Sequence, residues 1–243
     1  MKSIVKLAPL EQQAAPLRNK IIASLRTAIA TGVLEPGARL VERDLCAQLG
    51  VSRTSLREAL RELQADGVLL QTGARGLSVG IVSQEEAENA YRIRAVLEAL
   101  VVEQFIERCN DRDVRELMKE GDSLKAAYRS GDVGRMLLSK HRFFERICIG
   151  ADNSLAFNFI NRLVLRTASL RSLSLARKVR QQQSLEETET IIKAIRARNV
   201  ADAKRAATAH VNNAMKSVFT ALNSKAVVPP ARALKSSKRP VIA

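Results

Sequence analysis

The sequence predicts a mainly α-helical chain in two parts, a small N-terminal domain that ends in a β-hairpin and a larger all-α helical bundle. The first observation is composition: aromatic residues make up 3% of the 243 residues and tryptophan is absent, while good helix formers abound. The second is pattern: strand-like segments lie before residue 80, and apolar residues recur at helical spacing from residue 83 onward. A chain of this length is long enough to bury two cores.

Changes of pattern divide the chain into four segments. The formal charge is +15, and the proline-containing C-terminal segment carries five basic and no acidic side chains, which is typical of a disordered tail. The N-terminal domain carries nine basic and seven acidic side chains, so bulk charge adds little to its attraction for polyanions. The expected segments are a flexible arm at 1–9, the N-terminal domain at 10–80, the helical domain at 81–224 and a disordered basic tail at 225–243.

Two short helices joined by a tight turn are expected between residues 42 and 65. Gly50 ends the first because glycine takes the left-handed conformation without a Cβ penalty, and Ser52 is an N-cap for the second. Arg53 and Arg57 stand one turn apart on the outer face of the second helix. Its other face is apolar at helical spacing through Leu56, Ala59, Leu60 and Leu63. This pattern is typical of a helix-turn-helix, whose second helix enters the DNA major groove.

An ordinary helical hairpin with a solvated basic face would show the same pattern, but the flanking segments favour DNA binding. Residues 10–30 predict a preceding helix, and Arg39–Leu40 a short extended segment. After the pair, Leu69–Gln71 and Leu77–Val79 flank a Gly-rich tip, which predicts a β-hairpin wing with Arg75 exposed at its end. Arginine suits base reading because its fork bridges both acceptors of guanine.

The run PGARLVERDLCAQLGVSRTSLREALRELQADGVL is very similar to the winged helix-turn-helix of the GntR family of bacterial transcription regulators. Its LGVSR and REAL segments stand in register with the family pattern, and the wing glycine falls at Gly76. Two departures are Ser55, where proline is usual, and Cys46, where alanine is usual. Both are small residues, and neither removes a group that contacts DNA.

The resemblance implies which residues contact DNA. Arg43, Arg53 and Arg57 would contact bases or phosphates, Thr54 the DNA backbone and Gly76 the minor groove. The full expected set is Arg43, Ser52, Arg53, Thr54, Arg57, Arg75 and Gly76.

From Ser83 onward, six or so helices are expected, and their apolar stripes are buried against one another as a bundle. Ser83 with Glu86, and Ser184 with Glu187, match the capping-box pattern that opens a helix. Asn199 with Asp202 starts the last helix, to about Leu222. The intervening helices are expected at about 113–129, 133–149 and 154–175.

A DNA-reading domain followed by a helical bundle resembles the FadR subfamily of GntR regulators, whose FCD-type bundle binds a small molecule and dimerises. Many members hold a divalent metal with an aspartate and three histidines, and the matching positions here are Lys140, Phe144, Thr188 and His210. One imidazole beside a lysine cannot hold a cation, so we expect no metal and no other cofactor. An alternative register would bring together His141, Glu145 and His210.

Without a metal, the effector pocket is expected to be more apolar or to recognise its ligand through cationic groups. Arg94 and Arg166 are the candidate anchors for a carboxylate or phosphate, although Arg94 is also placed to pair internally with Glu98. The expected pocket residues are Arg94, His141, Phe144, Arg166, Thr188 and His210.

The resemblance implies a repressor that binds a palindromic DNA operator as a homodimer and responds to a small metabolite, a carboxylate, in its bundle. A dimer is expected because one recognition helix contacts too few bases for genomic selectivity. The alternative is a basic architectural protein that binds DNA without sequence preference. An enzyme is not expected, because the sequence contains no paired carboxylates, nucleophile–base pair or phosphate-binding loop.

Cysteine usage and apolar runs indicate the compartment. Cys46, Cys109 and Cys148 are widely spaced and match no metal or redox motif, which is typical of a reducing environment. The sequence has no run that resembles a signal peptide or a membrane span. We therefore expect a cytoplasmic protein, associated with the nucleoid when bound to DNA, with no membrane partner.

Overall fold

The computed structural model describes residues 15–73 and 76–226, and the surroundings of side chains 17–73 and 76–223. The expected arm, the first five residues of the expected first helix and Arg75 lie outside the described residues. The expected tail lies outside them from residue 227 onward. Its first two positions were assigned wrongly, because the last helix continues to Ala226.

The N-terminal domain consists of three helices and a three-stranded antiparallel sheet, which confirms the predicted winged arrangement. The central strand pairs with both others, so that Leu77 lies opposite Leu40 on one side and Gly76 lies opposite Thr72 on the other. The elements are α1 (Ala15–Ala30), β1 (Arg39–Leu40), α2 (Glu42–Leu49), α3 (Arg53–Ala65), β2 (Leu69–Thr72) and β3 (Gly76–Val79).

Local capping fixes the end of α2 and the start of α3. Gly50, between α2 and α3, has φ 63°, in the left-handed region that glycine favours. The Ser52 hydroxyl accepts a hydrogen bond from the Ser55 backbone N–H at 3.2 Å, as expected of an N-cap. The predicted apolar face of α3 is fully buried against α1, at Leu56, Ala59, Leu60 and Leu63. The outer face of α3 is thereby directed to solvent.

The helical domain consists, within residues 83–226, of seven helices rather than the expected six or so. Its main core contains Phe105, Phe143 and Ile147 among other fully buried apolar side chains. The helices are α4 (Gln84–Arg108), α5 (Asp111–Arg129), α6 (Val133–Gly150), α7 (Ser154–Arg166), α8 (Ala168–Leu175), α9 (Lys178–Arg196) and α10 (Val200–Ala226).

The single helix expected over residues 154–175 is in fact two, α7 and α8. The break lies at Thr167, whose φ and ψ are −100° and 12°. Its hydroxyl donates to the Leu163 carbonyl at 2.9 Å, a bond from a threonine side chain that bends helices. The adjacent Ala168 packs into the core of the N-terminal domain and is 1% exposed. The sequence carries no proline or glycine at this point, so the break was not predicted.

The helix start expected at Ser184 is also wrong. Helix α9 begins at Lys178, and Ser184 lies inside it, fully buried. Its hydroxyl bonds to the Tyr128 hydroxyl at 2.6 Å and accepts from Lys140 Nζ at 2.8 Å. The preceding residues are good helix formers, so the helix extends through a pattern that marks N-termini elsewhere.

Ser83 is confirmed as the N-cap of α4, since its hydroxyl accepts from the Glu86 backbone N–H at 3.1 Å. Asn199 caps α10 in the same way through the Asp202 N–H at 3.0 Å.

Helix α7 joins the two domains through charged contacts. Asp66, at the end of α3, accepts from Arg26 of α1 at 2.9 Å and lies 3.0 Å from Nε of Arg162 on α7. The Asp66 side chain is 8% exposed and the Arg162 side chain 59%, so the carboxylate is buried while solvent reaches the guanidinium. The position of α7 and the position of α3 are therefore linked.

None of the helices described for this chain is both long enough and apolar enough to cross a lipid bilayer.

Candidate DNA-reading surface and the cavity of the helical domain

The outer face of α3 presents the two arginines that the sequence singled out. Arg53 and Thr54 are exposed in the first turn, next to the exposed cap Ser52. Arg57 lies one turn further along, and its side chain is 59% exposed. All four therefore share one solvent-facing surface at the N-terminal end of α3, where a recognition helix contacts base edges.

Glu42 holds the Arg57 side chain. The Arg57 Nε donates to Glu42 Oε2 at 2.9 Å, from α3 to the first turn of α2. This bond uses Nε, and within the described residues the terminal nitrogens of the guanidinium form no hydrogen bond. The sequence interpretation did not include Glu42, and only a contact between α2 and α3 could have revealed it.

A groove runs between α3 and the wing. Its α3 wall is formed by Arg57, Arg61 and Gln64, and its wing wall includes Gln71 and Gly76. Gln64 donates to Gln71 across the groove at 3.3 Å. The sequence analysis did not assign a role to Arg61 or Gln64.

A glycine is needed at position 76 because the Thr72 backbone lies close to it, and not because of its own backbone conformation. A Cβ built on it would lie 2.6 Å from the Thr72 carbonyl oxygen, a clash that excludes larger residues. Gly73, by contrast, has φ 65° and supplies the left-handed turn. Arg43 lies apart on α2, 83% exposed, with its Nε 3.3 Å from its neighbour Asp44.

The helical domain contains a cavity of about 20 Å³ walled by α4, α6, α7 and α8. Of the expected pocket residues, Arg94, His141 and Phe144 line it, and the other three do not. Sequence reasoning missed several polar lining residues. They are Glu98, Lys140, Asn161 and Arg171.

Arg166 was wrongly expected in the pocket. It lies at the surface end of α7, where it forms an ion pair with Glu86, and its guanidinium sits against Gly67 of the N-terminal domain. The Glu86 carboxylate is thereby bound to Arg166 in this structure. Arg166 is a contact between helices and domains rather than a ligand anchor.

Arg94 and Glu98 form the internal pair that the sequence analysis considered. The guanidinium Nε and Nη2 donate to Glu98 Oε1 at 3.0 and 2.6 Å, and both side chains are buried. Arg94 Nη1 and Glu98 Oε2 have no hydrogen-bond partner within the described residues.

Arg171 reaches the same cavity from α8. In the described part of the chain, its guanidinium forms no hydrogen bond and no salt bridge. Burial, reinforced by the positive charge of Arg94, lowers its pKa to about 10. Arg171 lies on the same helical stripe as the buried Ala168 and Leu175, so an arginine within an apolar stripe is the signal that could have identified it.

Behind the cavity, a buried polar network joins α6, α9 and α10. Lys140 Nζ lies 2.9 Å from His210 Nε2, and His210 Nδ1 lies 2.7 Å from Glu187 Oε2. Arg180 donates to both Glu187 oxygens, at 2.7 and 2.8 Å. Because the carboxylate only accepts, the His210 proton sits on Nδ1, and Nε2 accepts from Lys140.

Comparison with protein families decides the assignment. The family described as "Bacterial regulatory proteins, gntR family" matches residues 17–79, and the FCD domain matches residues 89–213, about half of the chain. The chain belongs to the GntR family.

Known GntR proteins resemble this chain along most of its length. An HTH-type transcriptional regulator of Bacillus subtilis, YdhC, is 26% identical over 190 residues, which cover 78% of this chain and 85% of that protein. The gluconate operon transcriptional repressor of Bacillus licheniformis is 26% identical over 185 residues, covering 74% and 76% respectively. The solved structure of E. coli McbR/YncC has a TM-score of 0.77 at 22% identity, covering 85% of this chain and 99% of that one, which supports the fold.

The FCD residues at the family metal positions do not fit a metal ion. His210 is the single imidazole among them; its Nδ1 is bound to Glu187, and its Nε2 to Lys140. Phe144 stacks over that ring with centroids 6.4 Å apart, and the Thr188 hydroxyl donates to the Ser184 carbonyl. Within the described residues no group of three or more His, Cys, Asp or Glu side chains has metal-binding geometry, so His141, Glu145 and His210 do not form the alternative site either.

Acid is expected to destabilise the FCD domain below pH 6.5. Burial, with Lys140 alongside, lowers the His210 pKa to about 3. Burial alone would raise the Glu187 pKa, but hydrogen bonds from His210 and Arg180 hold it at about 2. Both groups have higher pKa values in the unfolded chain than in the folded chain. As the pH falls, the unfolded chain therefore binds protons at these groups before the folded chain does. The His210 contribution is therefore complete above about pH 6.5 and is lost towards pH 3, and the Glu187 contribution is lost between about pH 4.5 and 2.

Urea unfolding at pH 7.5, 6.0 and 5.0 measures this effect. The free energy of unfolding should fall by up to about 1.4 kcal/mol per pH unit for each such group. The His141→Gln variant should retain most of the fall, since His210 remains. A free energy of unfolding that is constant between pH 7.5 and 5.0 would show that His210 is not held neutral.

Proposed function

We propose that this GntR protein is a homodimeric transcription repressor that binds a palindromic operator through α3 and responds to a small carboxylate in its FCD domain. One observation carries the proposal: Arg53 and Arg57 are exposed side by side on α3, opposite a fully buried apolar face. The groove between α3 and the wing lies beside them. Arg57 would contact bases, and Arg43, Ser52 and Thr54 would position the domain on the DNA backbone.

Dimerisation is supported by an exposed apolar surface on the FCD domain, here called the α4–α7 face. Two hydrogen bonds show that these helices run side by side in opposite directions: Gln104 accepts from Asn153 near one end, and Glu86 binds Arg166 at the other. The face comprises Ile93, Val96, Leu100, Leu155 and Phe159, between 37% and 70% exposed. Large apolar side chains exposed on two neighbouring helices are typical of protein–protein contacts, and a second copy places two α3 helices on one operator.

Helix α7 supports a route from effector to DNA. Asn161 and Val164 on this helix line the cavity, while Arg162 binds Asp66 at the end of α3. A ligand that shifts α7 therefore shifts the N-terminal domain as well. In a dimer, a shift of the N-terminal domains changes the distance between the two recognition helices, and this distance sets the affinity for the operator.

Repression and a carboxylate effector have separate support. Two GntR relatives from Bacillus are described as gluconate operon transcriptional repressors, which favours repression here. The cavity is lined by Arg94 and Arg171, and guanidinium groups bind carboxylates through paired hydrogen bonds. Since the family metal positions do not fit a metal, we propose that the effector binds without one.

Selection of an operator from a random duplex library tests the proposal. Fluorescence anisotropy at 150 mM salt should then show the selected duplex binding about 1,000-fold more tightly than a scrambled duplex of equal length. The complex should contain two protein chains per duplex. A sequence-nonspecific architectural protein would instead bind both duplexes equally, with the same steep dependence on salt.

A further inference from the structure

The groove between α3 and the wing contains a positive charge that no acidic residue matches. Arg57 and Arg61 line it from α3, and Glu42 is the one acidic residue in its described lining. The Glu42 carboxylate is bonded to Arg57 Nε at 2.9 Å, so these two charges offset each other. Arg61 is exposed and forms no hydrogen bond or salt bridge with residues 17–73 or 76–223. The unmatched charge of the groove is therefore that of Arg61.

A second unmatched arginine lies on the other side of the wing. Residues opposite each other in antiparallel strands point to the same side of the sheet, so Arg39, Ser78 and Leu70 share one face, here called the outer sheet face. The other face, with Leu40, is buried in the core of the N-terminal domain. Arg39 is exposed, and its Nε lies 3.7 Å from a Cβ built on Gly76, so its side chain extends along the wing. It too is without a hydrogen bond or salt bridge among the described residues.

A hydrogen bond sets the distance between α3 and the wing. Gln64 of α3 donates to Gln71 of the wing at 3.3 Å, across the groove. The groove has a volume of about 200 Å³, against about 20 Å³ for the cavity in the FCD domain, which leaves room for a phosphate group. A surface that is ordered before its partner arrives binds with a smaller loss of conformational entropy. The groove is therefore suited to a stiff, negatively charged partner.

The shape of DNA identifies that partner. The major groove, about 12 Å wide, admits a helix, and a sugar–phosphate strand borders it on each side. When α3 lies in the major groove, the space beside α3 receives the nearer strand, and the wing beyond that strand lies over the minor groove. The minor groove is about 6 Å wide, so its second strand passes along the outer sheet face. Arg61 then meets one strand, and Arg39 meets the other.

We propose that Arg61 and Arg39 bind phosphates of the two strands that border one minor groove, with the wing between them. This assignment rests on the role of α3 as a recognition helix in the proposed function, and it adds two residues that the sequence analysis did not name as DNA contacts. Phosphate contacts carry no sequence information, but they fix the register and the orientation of a protein on the duplex. The two arginines thereby determine how Arg53 and Arg57 are presented to the base edges.

The salt dependence of DNA binding by Arg39→Gln and Arg61→Gln tests this proposal. Fluorescence anisotropy of the full chain on a scrambled duplex, between about 50 and 200 mM salt, gives the slope of log K against the logarithm of the salt concentration. Each phosphate contact contributes about 0.9 to that slope. Each variant should therefore lower the slope by about 0.9 for every N-terminal domain bound, and the double variant by about 1.8. The affinities for the selected operator and for the scrambled duplex should fall by the same factor.

Arg39→Lys and Arg61→Lys are the matched variants that retain the charge. Lysine binds a phosphate as a point charge, so both variants should keep the slope of the unmodified chain. The control is Arg115→Gln, an exposed arginine on α5, which should leave the slope and the affinity unchanged. Since the slopes are measured on a scrambled duplex, a chain that selects no operator would contradict the sequence specificity of the proposed function and leave this test in force.

Ethylation of single phosphates in the selected operator shows which strand each arginine contacts. For the unmodified chain, ethylation should interfere with binding on both strands that border the minor groove. The Arg61→Gln protein should lose this interference on one strand, and the Arg39→Gln protein should lose it on the other.

Four results would overturn the proposal. A glutamine variant that keeps the full slope would show that its arginine remains solvated in the complex. A glutamine variant that weakens the operator complex alone would show a contact with a base. Lysine variants that lose as much slope as the glutamine variants would show that the charge is not what DNA binds at these positions. Loss of interference on the same strand for both glutamine variants would contradict the position of the wing between the two arginines.

Discussion

Replacing Val96 with glutamate is expected to reduce operator affinity by about 100-fold or more and to leave the folded chain intact. Val96 is 70% exposed on the α4–α7 face, so the change costs the single chain little. In the proposed dimer it places two unpaired charges in an apolar contact, which costs several kcal/mol. A monomer reads one half-site, and the affinity from the second recognition helix is lost.

Sedimentation velocity measures the loss of the dimer, and fluorescence anisotropy on the selected operator measures the loss of affinity. The matched control is Val179→Glu on α9, where the valine is 66% exposed and lies away from the α4–α7 face. The control should remain dimeric and bind the operator normally. If the Val96→Glu protein is dimeric as well, the α4–α7 face is not the dimer contact.

Glu187→Ala is expected to lower the free energy of unfolding by about 3–5 kcal/mol. The carboxylate accepts from both Arg180 nitrogens and from His210 Nδ1, and Arg180 is 3% exposed. Its removal leaves a buried guanidinium without its counter-charge, and a buried imidazole without an acceptor. The cost therefore exceeds that of losing a surface ion pair.

Urea unfolding at pH 7.5 compares this variant with Glu189→Ala on the same helix. Glu189 is 47% exposed and lies 3.3 Å from Lys125, so its removal should cost about 1 kcal/mol or less. Both substitutions change helix propensity equally. Equal losses for the two variants would show that the Glu187 network does not hold α9 and α10 together.

The N-terminal domain was predictable because its determinants are local. Gly50 and Ser52 act within a few residues of their own positions, and the REAL-containing helix shows its buried face in its spacing. The serine-to-glutamate spacing at Ser184 predicted a helix start that is wrong, because Ser184 is buried beside Tyr128 and Lys140. Burial is a tertiary property that sequence spacing does not reveal. A capping pattern therefore predicts a helix start only where its residues are exposed at the end of a helix.

The cavity of the FCD domain was predictable only in part for the same reason. Arg94 could be placed there because it lies on the buried stripe of a long, regular helix. Arg166 and Arg171 were expected on one helix, but they lie on α7 and α8, on either side of the break at Thr167. Ala168, next to the break, packs against the other domain, and the sequence does not show that tertiary contact. Arg171 was detectable only as a charge in an apolar stripe.

The most direct test of the central claim, that the outer face of α3 reads bases, is the affinity of Arg57→Ala for selected and scrambled duplexes at one salt concentration. Arg57 is exposed and held by Glu42, so its loss should leave the fold intact. The account predicts a loss of about 1–3 kcal/mol, roughly 5- to 150-fold, on the selected operator, and little change on scrambled DNA. Equal weakening on both duplexes would contradict it, because Arg57 would then contact phosphate alone.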